Sequence, residues 1–243
     1  MRPLLNGGRF GGLKPNDSMR HHASCFALIA LAACSSRTKG STQHPNIEAA
    51  PSATAEPCAL YAPAVLSEKS AAPGSKARAL NGYQTACAAG CAAACERAGY
   101  FLEFAVAGTA NVDEAAKLYV RGCSLGAPHS CAEIGFLHEK GEGVPQDLGQ
   151  AAVDYRRACD GHDGPGCNDL ASLYREGLGV PKDLDKAGEL YLLACQFNDS
   201  LGCGNAAVMF EKGLSRQPDP VRAHEYYEKA CGLGLEEACE RIK

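Results

Sequence analysis

Apolar residues in the C-terminal two-thirds of the chain fall three and four positions apart, as in Leu148, Ala151, Ala152, Tyr155 and Cys159. That spacing puts them on one face of a helix. The face then returns at a fixed interval of 36 residues. Ala79, Ala115, Ala151, Ala187 and Ala223 share one place in the frame, and Tyr83, Tyr119, Tyr155, Tyr191 and Tyr227 share another four residues later. Five Cys-x7-Cys pairs keep the same beat: Cys87 and Cys95, Cys123 and Cys131, Cys159 and Cys167, Cys195 and Cys203, Cys231 and Cys239. Such a period predicts an array in which each small unit buries its apolar face against its neighbour.

Each unit reads as two helices. Helix B starts after a polar residue, Ser75, Asn111, Asp147, Asp183 or Asp219, whose side-chain oxygen can accept a free N–H of the first turn. It runs to the first Cys of the pair. Helix A begins near the second Cys and carries a small residue at Gly99, Gly135, Ala171 and Ala207, where close approach to an Ala of the facing helix is expected. It stops at Gly141, Gly177 and Gly213, suited to a left-handed cap. Gly143-Val144-Pro145 and Gly179-Val180-Pro181 then turn the chain into the next helix B. The first and last units lack Gly-Val-Pro, so different loops are expected there. The fold class is all-α, an α/α solenoid over residues 75–243.

Composition refines the core. With 46% hydrophobic residues, 7% aromatics and no Trp, Ala and Cys must fill much of it, which favours closely spaced helices. The N-terminus reads differently. Arg20-His21-His22 precedes an apolar run from Cys25 to Ala33 that is too short to span a bilayer but suits a signal-peptide core, with Met19 as a candidate start. Leu31-Ala32-Ala33-Cys34 resembles the lipobox of bacterial lipoproteins. The resemblance implies that 1–34 is a signal, that Cys34 carries lipid, and, with Ser35 following, that the destination is the outer membrane. An ordinary cleaved signal is the alternative, and both imply export.

Residues 35–74 are rich in Pro, Ala and Ser and read as a tether, spanning roughly 35 Å if flexible. A bond between Cys58 and Cys91 would fold its second half back through Leu60, Tyr61, Val65 and Leu66 as an N-terminal cap. Of 14 Cys, removing Cys25 and Cys34 leaves an even set suited to full oxidation. Ten form the repeat pairs, each stapling the end of helix B to the next helix A at about 2.5 kcal/mol by chain entropy. Cys58 and Cys91 remain for each other. Because Cys87, Cys91 and Cys95 crowd together, pairing Cys87 with Cys95 is extrapolated from the other units. Zinc is disfavoured, since Cys-x7-Cys is wider than a zinc knuckle, and a redox Cys-x-x-Cys is absent. Neither a metal nor a cofactor is expected.

The succession of small-x-x-Tyr, Gly-x-Gly-Val-Pro, Asp-x-x-x-Ala-x-x-x-Tyr and Ala-Cys resembles the Sel-one-like repeat, a relative of the tetratricopeptide repeat. Length and paired cysteines are similar to the Helicobacter cysteine-rich proteins, a secreted branch. The resemblance covers about residues 75–243. His138 departs from it, standing where Leu102, Tyr174 and Phe210 stand in the other units, and is expected to be a partly buried core residue with one hydrogen bond. Such arrays imply a superhelix whose concave side, lined by helix A, holds an extended peptide. The varying helix-A position Arg97, Glu133, Asp169 and Asn205 is the candidate recognition row, expected on an exposed face. The tyrosine set is expected to pack in the core.

The same branch is associated with penicillin binding and weak β-lactam hydrolysis. Ser36-Arg37-Thr38-Lys39 matches Ser-x-x-Lys in form only, lying in the tether without the companion S-D-N and K-T-G elements. His129, His138, His162 and His224 sit in no motif with a nucleophile and an acid, and no phosphate-cradling or dinucleotide loop is present. Without residues 1–34 the chain carries 20 basic and 27 acidic residues, a net −7 that argues against nucleic acid. The expectation is a monomeric, lipid-anchored scaffold for a protein or peptide partner at the cell envelope. A β-lactam hydrolase and a peptidoglycan-fragment binder are the alternatives.

Overall fold

The computed structural model describes residues 58–214 and 217–243. Cys34, the expected signal, Ser36–Lys39 and the tether up to residue 57 lie outside the described residues. Eleven helices and no strand occur among those described. They are α1 (Tyr61–Lys69), α2 (Ser75–Ala88), α3 (Ala92–Glu103), α4 (Val112–Ser124), α5 (Pro128–Lys140), α6 (Leu148–Asp160), α7 (Gly164–Glu176), α8 (Leu184–Gln196), α9 (Ser200–Lys212), α10 (Pro220–Gly232) and α11 (Glu236–Arg241). Odd-numbered helices from α3 onward are helix A and even-numbered ones are helix B. Each packs mainly on its neighbours in the chain, which is the all-α solenoid the period predicts.

Local chemistry explains the boundaries. Asn111, Asp147, Asp183 and Asp219 accept the backbone N–H of Glu114, Gln150, Lys186 and Arg222, satisfying donors that the first turn leaves open. Ser75 departs from the row. Left-handed Gly74 takes the cap place, while Ser75 is itself helical and donates its hydroxyl to the Ser70 carbonyl at 2.8 Å. Gly141, Gly177 and Gly213 are left-handed at the helix-A ends. The Gly-Val-Pro loops and the variant loops close alike: the N–H of Asn111, Asp147, Asp183 and Asp219 donates to the carbonyl of Leu102, His138, Tyr174 and Phe210. At the other turn a left-handed residue recurs as Gly90, Gly126, His162, Asn198 and Gly234, so His162 is a turn residue.

The helix-B tyrosines are the centre of each unit and are at most 5% exposed. Their partner is the small helix-A position. A Cβ at Gly99 or Gly135 would fall 2.6 Å and 2.8 Å from the rings of Tyr119 and Tyr155. The small residue therefore accommodates a ring rather than the facing Ala that sequence suggests. Four positions on, helix A supplies an acid for the phenol: Tyr119, Tyr155 and Tyr227 donate to Glu103, Glu139 and Glu211 at 2.7, 3.0 and 3.0 Å. Arg175 holds the corresponding place in the third unit, where the Tyr191 hydroxyl meets Ser172 instead at 3.1 Å.

All six expected disulfides are present. Five cross the helix-B to helix-A turns, joining Cys87 to Cys95, Cys123 to Cys131, Cys159 to Cys167, Cys195 to Cys203 and Cys231 to Cys239. The sixth joins Cys58 to Cys91. The extrapolated pairing at the crowded first turn therefore holds. Cys131, Cys167, Cys203 and Cys239 each lie in the first turn or so of a helix A, at the end facing the preceding helix B. Basic side chains reinforce the seams. Arg121, Arg157 and Lys229 donate to the carbonyls of Cys87, Cys123 and Cys195 one repeat earlier, neutralising the negative end of the previous helix B.

α1 lies within the stretch read as tether. It occupies the helix-A place before α2: Ala64 and Glu68 correspond to Gly99 and Glu103, and Glu68 accepts from Tyr83. Of the four residues expected to dock, Tyr61 and Val65 pack on the core while Leu60 and Leu66 are exposed. Ala64 is the buried contact, because α1 presents its small face to Gly82 of α2.

Gly179 has φ +67°, and a Cβ there would lie 2.2 Å from the Leu148 carbonyl oxygen of the preceding unit. Gly179→Ala is expected to cost about 2 kcal/mol or more, since positive φ and a backbone clash both oppose it. Urea unfolding of the oxidised protein measures this, and an unchanged midpoint would disprove the seam contact.

Candidate functional site

Successive units touch along the helix-A row, through α3/α5, α5/α7 and α7/α9, and between helices B at α2/α4. This closeness changes the recognition row. Glu133 is 5% exposed and Asn205 fully buried, while Arg97 and Asp169 are half-buried. The exposed face expected for these four is therefore largely an interior seam, because each helix A covers part of the one before it. Asn205 donates to Asn168 at 2.9 Å, and Asn168 donates to Asp169 at 3.1 Å. Arg97 makes a bidentate pair with Glu68 and lies over the Tyr100 ring at 4.7 Å.

Sequence reading missed the neighbouring charge cluster. His129, in the first turn of α5, faces Glu133 through Nε2 at 3.0 Å and Asp163 through Nδ1 at 3.1 Å. Asp163 uses its other oxygen to cap α7 at the Gly166 N–H. One carboxylate thus closes a helix and grips the previous repeat. Burial works against a charged ring, but the bonds to Asp163 and Glu133 outweigh it and push the His129 pKa up to about 11. Glu96 stands in the same cluster, its carboxyl raised by burial first and by Glu133 and Asp163 next, with His129 opposing. No residue pair here forms a nucleophile and a base. Both nitrogens of His129 face carboxylates, so the ring is a held cation with no lone pair to take a proton.

The other histidines among the described residues have neighbours of their own. His138 Nδ1 lies 2.9 Å from buried Asp154, His162 meets the Phe197 ring edge-on at 4.8 Å, and exposed His224 lies 3.5 Å from Glu228. No group of His, Cys, Asp and Glu suited to a metal occurs among the described residues. No helix there is long and apolar enough to cross a membrane.

Paired helices, a small-residue notch for a buried Tyr and a left-handed residue before each new helix B define a repeat protein of the helix-turn-helix solenoid class. Sel1 repeats match residues 92–126, 128–163, 164–196 and 200–235, each an A–B pair, and the chain belongs to the Sel1 repeat family. Among solved structures it is similar to a Sel1 repeat protein from Oxalobacter formigenes, with 24% identity, TM-score 0.71, and 79% of this chain and 77% of the other covered. It is also similar to the protective antigen c5321 of uropathogenic Escherichia coli, with 22% identity, TM-score 0.68 and 76% of this chain covered. The match spans 40% of that antigen. The Helicobacter pylori cysteine-rich protein B is 26% identical over 53% of this chain and 92% of its own, at TM-score 0.44. No curated protein matches.

Asp199, the cap of α9, lacks a counterpart to His129, because Pro165 stands at that place. Burial pushes its carboxyl up to about 6, against the hydrogen bond from the Gly202 N–H. A raised folded pKa means that the stabilisation is full below about 3.8 and is lost as pH rises through about 6. Asp199→Asn keeps a cap without the buried charge. It is expected to raise Tm at pH 7 by about 2–4 °C and to flatten the stability profile between pH 4 and 6. A variant with the wild-type profile would show that Asp199 does not titrate there.

Proposed function

We propose that this Sel1-repeat scaffold is exported, anchored through Cys34 at the cell envelope, and docks an extended segment of a protein partner along helix A. The observation that carries this is the continuous helix-A row, α3 to α9. Its accessible side chains combine aromatic and charged groups: Tyr100 and Phe104, then His129 and Phe136, then Asp169. Phe104 is 47% exposed and lies 4.9 Å from the Tyr100 ring. Mixed surfaces of this kind suit peptide recognition, where a few aromatic and Arg anchors hold most of the affinity. Six disulfides favour an oxidising compartment, which agrees with a signal and lipobox before residue 35. The tether then gives the array reach from the membrane surface.

Photo-crosslinking in intact cells tests the docking face. A crosslinker at Phe104 or Asp169 is expected to capture one defined envelope protein, whereas one at Val153 or Glu225 on helix B is not. Asp169→Arg is expected to weaken recovery of that protein at least about tenfold. Equal capture from both helix rows would overturn the proposal. Turnover of a chromogenic cephalosporin by the purified protein would instead favour the hydrolase, and cosedimentation with sacculi the glycan binder.

A further inference from the structure

The first helix differs from every later one in how it is held. α1 has 9 residues, below the roughly 12–15 at which an isolated helix becomes stable. Its backbone packs chiefly on α2, and it leaves Leu60 and Leu66 46% and 71% exposed. Its covalent tie is the Cys58–Cys91 bridge, which closes over 33 residues where the others close over 8. Cys58 is exposed, whereas both cysteines in each of the first four repeat bridges are at most 3% exposed. A thiolate must reach sulfur to open a disulfide. Of those five bridges, the one that anchors this short N-terminal helix thus has the most exposed cysteine.

What α1 covers is chemically specific. Glu68 presents both carboxylate oxygens to Arg97 and accepts from the Tyr83 hydroxyl. The guanidinium is backed by Tyr100 at 4.7 Å and Phe101 at 5.4 Å. This is a carboxylate-binding cradle, with fork geometry, an auxiliary O–H donor and aromatic backing, filled by a carboxylate of the chain itself. Arg97 is also the first member of the helix-A row.

We propose that α1 is a disulfide-held latch whose Glu68 masks Arg97, and that a dithiol reductant opening Cys58–Cys91 releases the helix and frees a carboxylate-binding site on Arg97 and Tyr83. The reductant's thiolate attacks exposed Cys58, expelling Cys91 as thiolate. Its second thiol then resolves the mixed disulfide, so two electrons and two protons leave the dithiol, which becomes a disulfide while Cys58 and Cys91 become thiols. The device goes beyond docking along α3–α9 and does not depend on it, since its ligand is any accessible carboxylate.

The test titrates the full oxidised chain with dithiothreitol, follows each bridge by alkylation and mass mapping, and measures amide exchange and the binding of fluorescein-labelled tetraglutamate. Cys58–Cys91 is expected to open at a dithiol concentration about tenfold below that for the four buried bridges. Residues 61–69 then lose amide protection while α5–α9 keep theirs, and the probe binds. The Cys58→Ser/Cys91→Ser chain should bind the probe without reductant, and adding Arg97→Gln should abolish that binding. In the oxidised chain with its bridge intact, Glu68→Gln should admit the probe part-way. The proposal fails if α1 stays protected once the bridge is open. It also fails if the untreated chain binds the probe equally, or if replacing Arg97 leaves binding unchanged.

Discussion

The burial of one tyrosine per unit against a residue with almost no side chain is the contact on which the array depends. A ring approaching within van der Waals distance of the helix-A backbone at Gly99 or Gly135 sets how near the two helices of a unit lie. It leaves the phenol reaching past the backbone, where a buried hydroxyl needs a partner. Glu103, Glu139 and Glu211 supply it. Packing and polar satisfaction are therefore solved by two residues four apart on one helix face, and a unit carrying both can be copied. The third unit departs from the pattern: Arg175 holds the acid's place and Tyr191 turns to Ser172.

Between units the constraint is different. Helix B ends and the next helix A begins across a turn that needs a left-handed residue, and a disulfide closes over it. The turn also draws a basic side chain from the following helix B in three of the seams. On the helix-A side the joint is polar, through Asn168 with Asn205 and through His129 between Glu133 and Asp163. Ala-rich helices bury little apolar area each, so cross-links and bonded polar seams supply rigidity that a large core would otherwise provide.

These seams bear on the proposed function. A side chain that bonds one repeat to the next is held in place, so if a partner docks along this row, as proposed, such groups lose little further freedom on binding. The same economy governs the N-terminal end. A solenoid's terminal unit exposes the face that an interior unit would bury, and here a single short helix covers it, reproducing the small residue and the acid of helix A.

The period, the helix pair, four of the five cap residues, the left-handed glycines and the five repeat cysteine pairings were legible in the chain. Each is a local or strictly periodic property, and the same residue type recurs wherever the same backbone geometry does. Cys131, Cys167, Cys203 and Cys239 follow their partners by eight positions in every unit, so one turn geometry serves them all. α1 was less legible because Ala64 and Glu68 lie 35 residues before Gly99 and Glu103, one short of the frame, inside a Pro-rich stretch. Whether Arg97, Glu133, Asp169 and Asn205 face solvent could not be read from polarity. Burial there depends on how closely successive A helices approach, which the packing of one unit on the next decides. His129 and Asp163 are 34 residues apart and share no pattern position, so only the superposition of one repeat on the next brings their charges together. The sequence by itself thus determined the unit and its joints, while the tertiary structure decided which polar groups are seam and which are surface.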